Sequence, residues 1–166
     1  MELRIKSKIT ADELYNFLMY HTYSSVWGFT GILISICALL AFGQLCFAGG
    51  SAMTKVCLLI TAMLFLVVQP VRLYLQSQRL MVSDRGYAEP VEYFFNHAGV
   101  ELSQNEDSVF YAWGEIEKVI STKKIVAIYV DKKRVFKIAK RDIAESYDDF
   151  KQIIRTCAVK AVVRLK

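Results

Sequence analysis

The sequence predicts a membrane α+β protein: a two-helix transmembrane hairpin joined to a water-facing antiparallel β unit that ends in an amphipathic helix. Three observations predict it. Residues 22–54 are 33 consecutive positions without Asp, Glu, Lys or Arg, and after Lys55 another 16 uncharged positions run from Val56 to Val71. Beyond residue 90, short apolar runs of strand length alternate with polar turns. From Ile143 to Ala161, apolar residues recur every three or four positions. With 166 residues there is room for one domain and an anchor, and an apolar content of 54% excludes a disordered chain.

The first element is a strand. Glu2 to Ile9 alternates polar and apolar, which turns Leu3, Ile5 and Ile9 inward. Thr10 then caps a helix, with Glu13 completing a capping box, and Leu14, Phe17 and Leu18 form its apolar stripe. A lone strand of this length is unstable, so residues 1–24 are expected to pack on a sheet formed later in the chain.

Residues 25–76 read as the hairpin, with helices at about 26–47 and 54–75. Val26 to Phe47 is 22 residues, about 33 Å of helix at ~1.5 Å per residue, against a hydrocarbon core of ~30 Å. Its apolar stretch is longer than the core of a cleaved signal peptide, so retention is expected. Ala48-Gly49-Gly50-Ser51-Ala52 supplies a short turn between antiparallel neighbours. Of the 21 Lys and Arg residues, three precede the first helix, Lys55 lies beside the turn, and 17 follow from Arg72 onward. The positive-inside rule therefore places both termini in the cytoplasm and the Gly-Gly turn outside. Tyr20, Tyr23, Trp27 and Phe29, with Tyr74 on the second helix, form an interfacial aromatic belt at the inner ends.

Residues 77–166 form the cytoplasmic part. Val91–Phe95 and Val100–Leu102 flank the turn Asn96-His97-Ala98-Gly99, and strands follow at 109–113, 116–120, 125–130 and 135–138. A helix over about 142–160 carries Ile143, Tyr147, Phe150, Ile154, Cys157 and Ala161 on one face. A meander capped by such a helix is the outline of a pleckstrin-homology (PH)-like barrel. The stretch from Val91 to Val100, the run Trp113-x-x-Ile116-x-x-Val119 and the block Phe136-Lys137-Ile138-Ala139-Lys140-Arg141 resemble the YcxB-like family of bacterial membrane proteins. The resemblance implies a two-pass hairpin with a PH-like cytoplasmic domain in a bacterial plasma membrane. It implies no catalytic residues.

The residues themselves carry little chemistry. His21 falls at the membrane boundary and His97 in a turn, neither beside an evident nucleophile or acid partner. Glu106-Asp107 and Asp148-Asp149 are sequence neighbours whose side chains diverge. Cys37, Cys46, Cys57 and Cys157 lack metal-ligand spacing. No enzyme, cofactor, metal or disulfide is expected. Trp113 reads as a core or barrel-mouth aromatic rather than a ligand contact. The marked signal is charge. Lys132, Lys133, Arg134, Lys137, Lys140 and Arg141 place six cations in ten residues without an acid among them. They are candidates for contact with anionic lipid headgroups or an acidic membrane partner, set against the plainer reading of a solvated turn. Nucleic acid is not expected, since the cationic excess from Arg72 onward is only four.

The expected function is non-catalytic binding or regulation at the inner membrane face, with immunity or self-protection against a toxin as one concrete version. The alternative is a small oligomeric channel or transporter subunit, for which Ser35, Thr61, Gln44 and Gln69 are the polar groups within the helices.

Overall fold

A computed structural model describes residues 2–83, 85–105, 107–130 and 134–165. The chain divides into two compact units, one of residues 1–17 and 79–166, the other of residues 18–78.

Among the described residues, the first unit holds eight strands in two four-stranded sheets. The first sheet has the order β1 (Leu3–Ser7), β2 (Val91–Phe95), β3 (Gly99–Gln104), β4 (Asp107–Ala112), antiparallel throughout. The N-terminal strand pairs Leu3 with Phe95 and Ser7 with Val91, so segments 84 or more residues apart in sequence share one sheet. The second sheet has the order β7 (Val135–Ala139), β6 (Ile125–Tyr129), β5 (Lys118–Ser121), β8 (Val162–Arg164). Its β8 runs parallel to β5.

The strands do not close into the single barrel that the sequence suggests. After β4 the chain makes a one-turn 3₁₀ helix, Trp113–Glu115, where the Glu115 carboxylate accepts the Ala112 amide at 2.8 Å. That turn swings Trp113 into the core and starts a new sheet instead of extending the first. Between the first sheet and β7, side chains replace a backbone ladder: the Ala139 amide donates to Ser7 Oγ of β1 at 3.0 Å, and the Tyr93 hydroxyl of β2 donates to the Lys137 carbonyl at 3.1 Å.

The two sheets share a core of Ile5, Tyr93, Phe95, Val119, Ile128 and Ile138, among others. Helix α6 (Tyr147–Cys157) covers one end, with Phe150 edge-on to Phe95 at 5.4 Å between ring centroids. It is shorter than the sequence suggests, because a 3₁₀ turn at Lys140–Ile143 precedes it and the chain after Cys157 returns as β8. Strand β6 departs from period-two alternation: Ile125, Val126, Ala127 and Ile128 are all buried, as expected for a strand covered on both faces.

Helix α1 (Ala11–Tyr23) opens as its capping box requires. The Thr10 amide donates to Glu13 Oε2 at 2.8 Å, and the Glu13 amide donates to Thr10 Oγ1 at 3.4 Å. Asp12 pairs with Lys124, and Glu13 with Arg141, fastening this first turn to the second sheet.

The second unit is a helical hairpin. Helix α2 spans Val26–Ala48, and a continuous helix of 32 residues, Ala52–Ser83, returns from it. The latter comprises α3 (Ala52–Met63), a π-helical turn (Leu64–Val68) and α4 (Gln69–Ser83), and so runs eight residues past the expected end at Leu75. Gly49, with φ of 75°, ends α2 in a conformation that favours glycine, and Ser51 Oγ caps α3 by accepting the Thr54 amide at 3.2 Å. Both helices are long and apolar enough to cross a membrane. The buried residues of α2 are Gly28, Gly31, Ser35 and Ala38, a seam of small side chains, and a Cβ at Gly31 would collide with the Phe65 ring at 2.3 Å. Ser35 Oγ donates to the Thr61 carbonyl at 3.3 Å across that seam. Short helix α5 (Arg85–Ala88) then leads into β2.

Candidate functional site

The basic segment lies along β7 and the turns at its two ends. Lys132 and Lys133 fall outside the described residues. The remaining four cations lie just before β7, on it and in its following turn, yet each meets a different partner. Arg134 is exposed, donates to the Tyr111 hydroxyl at 3.2 Å, and holds its guanidinium 5.9 Å from that ring's centroid. Lys137 is half-buried. Its ammonium donates to the Tyr87 hydroxyl at 2.7 Å and lies 5.4 Å from the Phe17 ring and 5.2 Å from the Tyr87 ring. Lys140 sits 5.6 Å from the Tyr147 ring.

Arg141 is part of a polar clasp. Its guanidinium donates to the Lys8 carbonyl at 2.6 Å, to Asp142 Oδ1 at 3.2 Å, and pairs with Glu13 Oε1 at 3.3 Å. Asp142 Oδ2 in turn accepts Ser7 Oγ at 2.8 Å and the Lys8 amide at 3.2 Å. The run of like charge in the sequence gives no hint of this division, because the acids that answer Arg141 are Glu13, from the distant N-terminal segment, and its own neighbour Asp142.

The end of the core away from α6 is open. There a cavity of about 340 Å³ lies between the inner face of the first sheet and β7. Val91 and Tyr93 of β2, Leu102 of β3, Val109 and Tyr111 of β4 and Phe136 of β7 supply apolar and aromatic walls, with Lys137 beside them. Gln104 Nε2 holds one side of the rim by donating to the Gly86 and Glu89 carbonyls, each at 3.1 Å. Burial, and after it the neighbouring Tyr87, push the Tyr93 hydroxyl well above the usual phenol range. On the outer face of the same sheet, the Lys6 hydrogen bond and charge hold the Glu92 carboxyl below its ordinary value.

Trp113 belongs to the core. It is buried, stacks on Phe95 at 6.4 Å, and its indole N–H donates to the Asn96 carbonyl at 2.9 Å. Asn96 Oδ1 accepts the amides of Ala98 and Gly99 at 2.8 and 2.9 Å, which shapes the β2–β3 turn. Among the described residues, no group of three or more His, Cys, Asp or Glu side chains is placed to hold a metal ion. The cavity and the clasp escaped sequence reasoning. The only available signal was parity, since Tyr93 occupies an inward position of an alternating strand.

Residues 95–154 match the family model described as YcxB-like protein, a stretch from the last residue of β2 into α6. It contains the Trp113, Ile116 and Val119 positions and the basic segment. No curated protein and no solved structure gives a significant match to the chain.

Proposed function

We infer that this chain, with its YcxB-like segment, is a non-catalytic, membrane-anchored binding or regulatory protein of a bacterial plasma membrane. The observation that carries the reading is the exposure of the two apolar helices. Their most apolar windows have a mean hydropathy of 2.2, yet only 17% and 11% of those windows is buried. A core helix of a water-soluble protein hides such a surface, whereas a bilayer accepts it. The excess of Lys and Arg outside the hairpin turn favours cytoplasmic termini. An antiparallel four-stranded sheet, then three antiparallel strands and a covering helix, supports a PH-like architecture for the water-facing unit, with the hairpin inserted after its first strand. That comparison concerns fold alone.

The working surface in this reading is the β6–β7 turn, through Lys132, Lys133 and Arg134, with anionic headgroups or an acidic membrane protein as partner. Lys137 and Arg141 serve internal contacts; Arg134 also donates to the Tyr111 hydroxyl but is exposed. Self-protection against a toxin is a specific form of this role.

The test is crosslinking in native membranes, followed by mass spectrometry, comparing the natural chain with Lys132→Glu/Lys133→Glu/Arg134→Glu. Loss of a crosslinked protein or of anionic lipid adducts in the variant supports the turn as the recognition surface. An unchanged adduct list refutes it. Arg141 is left intact because its reversal would also break the clasp.

A further inference from the structure

We propose that the cavity between the first sheet and β7 is a binding site for a single-chain anionic amphiphile, its acyl tail between the sheets and its acidic head on Lys137. The proposal rests on the membrane-anchored reading only for the source of the ligand. Its chemistry comes from the site. At about 340 Å³ the cavity lies at the low end of the ~300–1,000 Å³ typical of small-molecule sites, room for one tail rather than two. Tyr93, Leu102, Val109, Tyr111 and Phe136 make walls that favour hydrocarbon. Among the described residues, Lys137 is the lining cation. Of its three N–H donors, the Tyr87 hydroxyl takes one, while the Phe17 and Tyr87 rings attract the charge without offering a lone pair on oxygen. A carboxylate or phosphate oxygen suits the remainder. Two acids also border the cavity, Glu89 and Asp107, but both are exposed to solvent, where water screens them; Lys137 is half-buried.

The site is also open-ended in the way a tail requires. Helix α6 and Phe150 fill the Phe95 end of β2, whereas the Val91 end borders the cavity, beside Ile9 and Tyr87. The phenolic edge of Tyr93, turned to the Lys137 carbonyl, keeps the floor of the cavity from presenting an unpaired hydroxyl to a hydrocarbon chain.

The experiment uses the full chain in nanodiscs of phosphatidylcholine, which carry no net headgroup charge. It is labelled with two probes bearing a tail diazirine, a medium-chain fatty acid and a lysophosphatidylglycerol, and with the matching neutral alcohol. Adducts are mapped by peptide mass spectrometry, with adducts on the two apolar helices as the internal standard. The acidic probes are expected to mark peptides covering residues 91–111 and 135–139, and whichever labels more strongly identifies the source. The alcohol should mark them about tenfold less, as should the acids on Lys137→Gln, while Lys137→Arg keeps the labelling. Val109→Trp fills the cavity from a half-exposed position and should abolish it. Adducts confined to the helices, or cavity adducts indifferent to both Val109→Trp and Lys137→Gln, overturn the proposal. Alkaline extraction of native membranes is run in parallel. A chain released by it would defeat the anchoring reading while leaving the cavity result to stand alone.

Discussion

At Asp142 a single carboxylate receives Ser7 Oγ, the Lys8 amide and the Arg141 guanidinium, while Ser7 Oγ also accepts the Ala139 amide. Ser7 is buried, so removing its acceptor leaves a hydroxyl without an adequate replacement. Asp142→Ala is expected to destabilise the first unit by about 1–3 kcal/mol, read by pulse proteolysis across a urea series in membranes; Asp142→Asn should cost less. Tyr93→Phe removes the hydrogen bond to the Lys137 carbonyl and should cost about 1 kcal/mol at neutral pH. Its pH dependence has a defined sign. The folded state raises the Tyr93 pKa above the ordinary value of 10.0, so it retains a proton that the unfolded chain sheds above that pH. Stability should therefore fall as pH rises past about 10, less steeply in Tyr93→Phe; parallel alkaline profiles of the two proteins would contradict the assignment. These residues mark where sequence reading stops. Of the two acids that pair with Arg141, Glu13 is 128 positions away, and no local pattern reveals a contact across that gap.

Elements with local causes were legible. The Thr10–Glu13 capping box, strand β2 with its bounds at Val91 and Phe95, and the two apolar helices all follow from spacing and composition. Strand β8 was not, because Val162-Val163-Arg164 is too short to alternate and its place depends on β5. Nor was the break between β4 and β5, which is set by a single turn at Trp113. Within the hairpin, the seam of Gly31, Ser35 and Ala38 was not read from the sequence, because its partner Phe65 sits in a π-helical turn, Leu64–Val68, that the sequence does not announce. Gly31→Leu is expected to overpack that seam and cost about 1–3 kcal/mol in thermal denaturation in micelles. Gly43→Leu is the control, since a Cβ there meets nothing within 4 Å, and its midpoint should match the natural chain. Equal midpoints for both variants would mean that the seam does not limit hairpin stability.

For the whole molecule, the long-range pairing of β1 with β2 makes the hairpin an insertion within one folded unit rather than a leader attached to it. Deleting residues 2–9 removes β1, exposes the edge of β2 and discards Ser7 from the clasp. Protease resistance of residues 79–166 should drop sharply, and an undiminished core fragment would show that the remaining strands suffice. The central claim is that the hairpin spans a membrane with the folded unit on one side. The most direct test is cysteine labelling on a background without the four native cysteines, using a membrane-impermeant maleimide on intact cells and on inverted vesicles. Single cysteines replace Lys8, Gly50 and Lys123. The account predicts that Gly50→Cys reacts only in intact cells, and that Lys8→Cys and Lys123→Cys react only in inverted vesicles. Reaction of all three from the same side would contradict it.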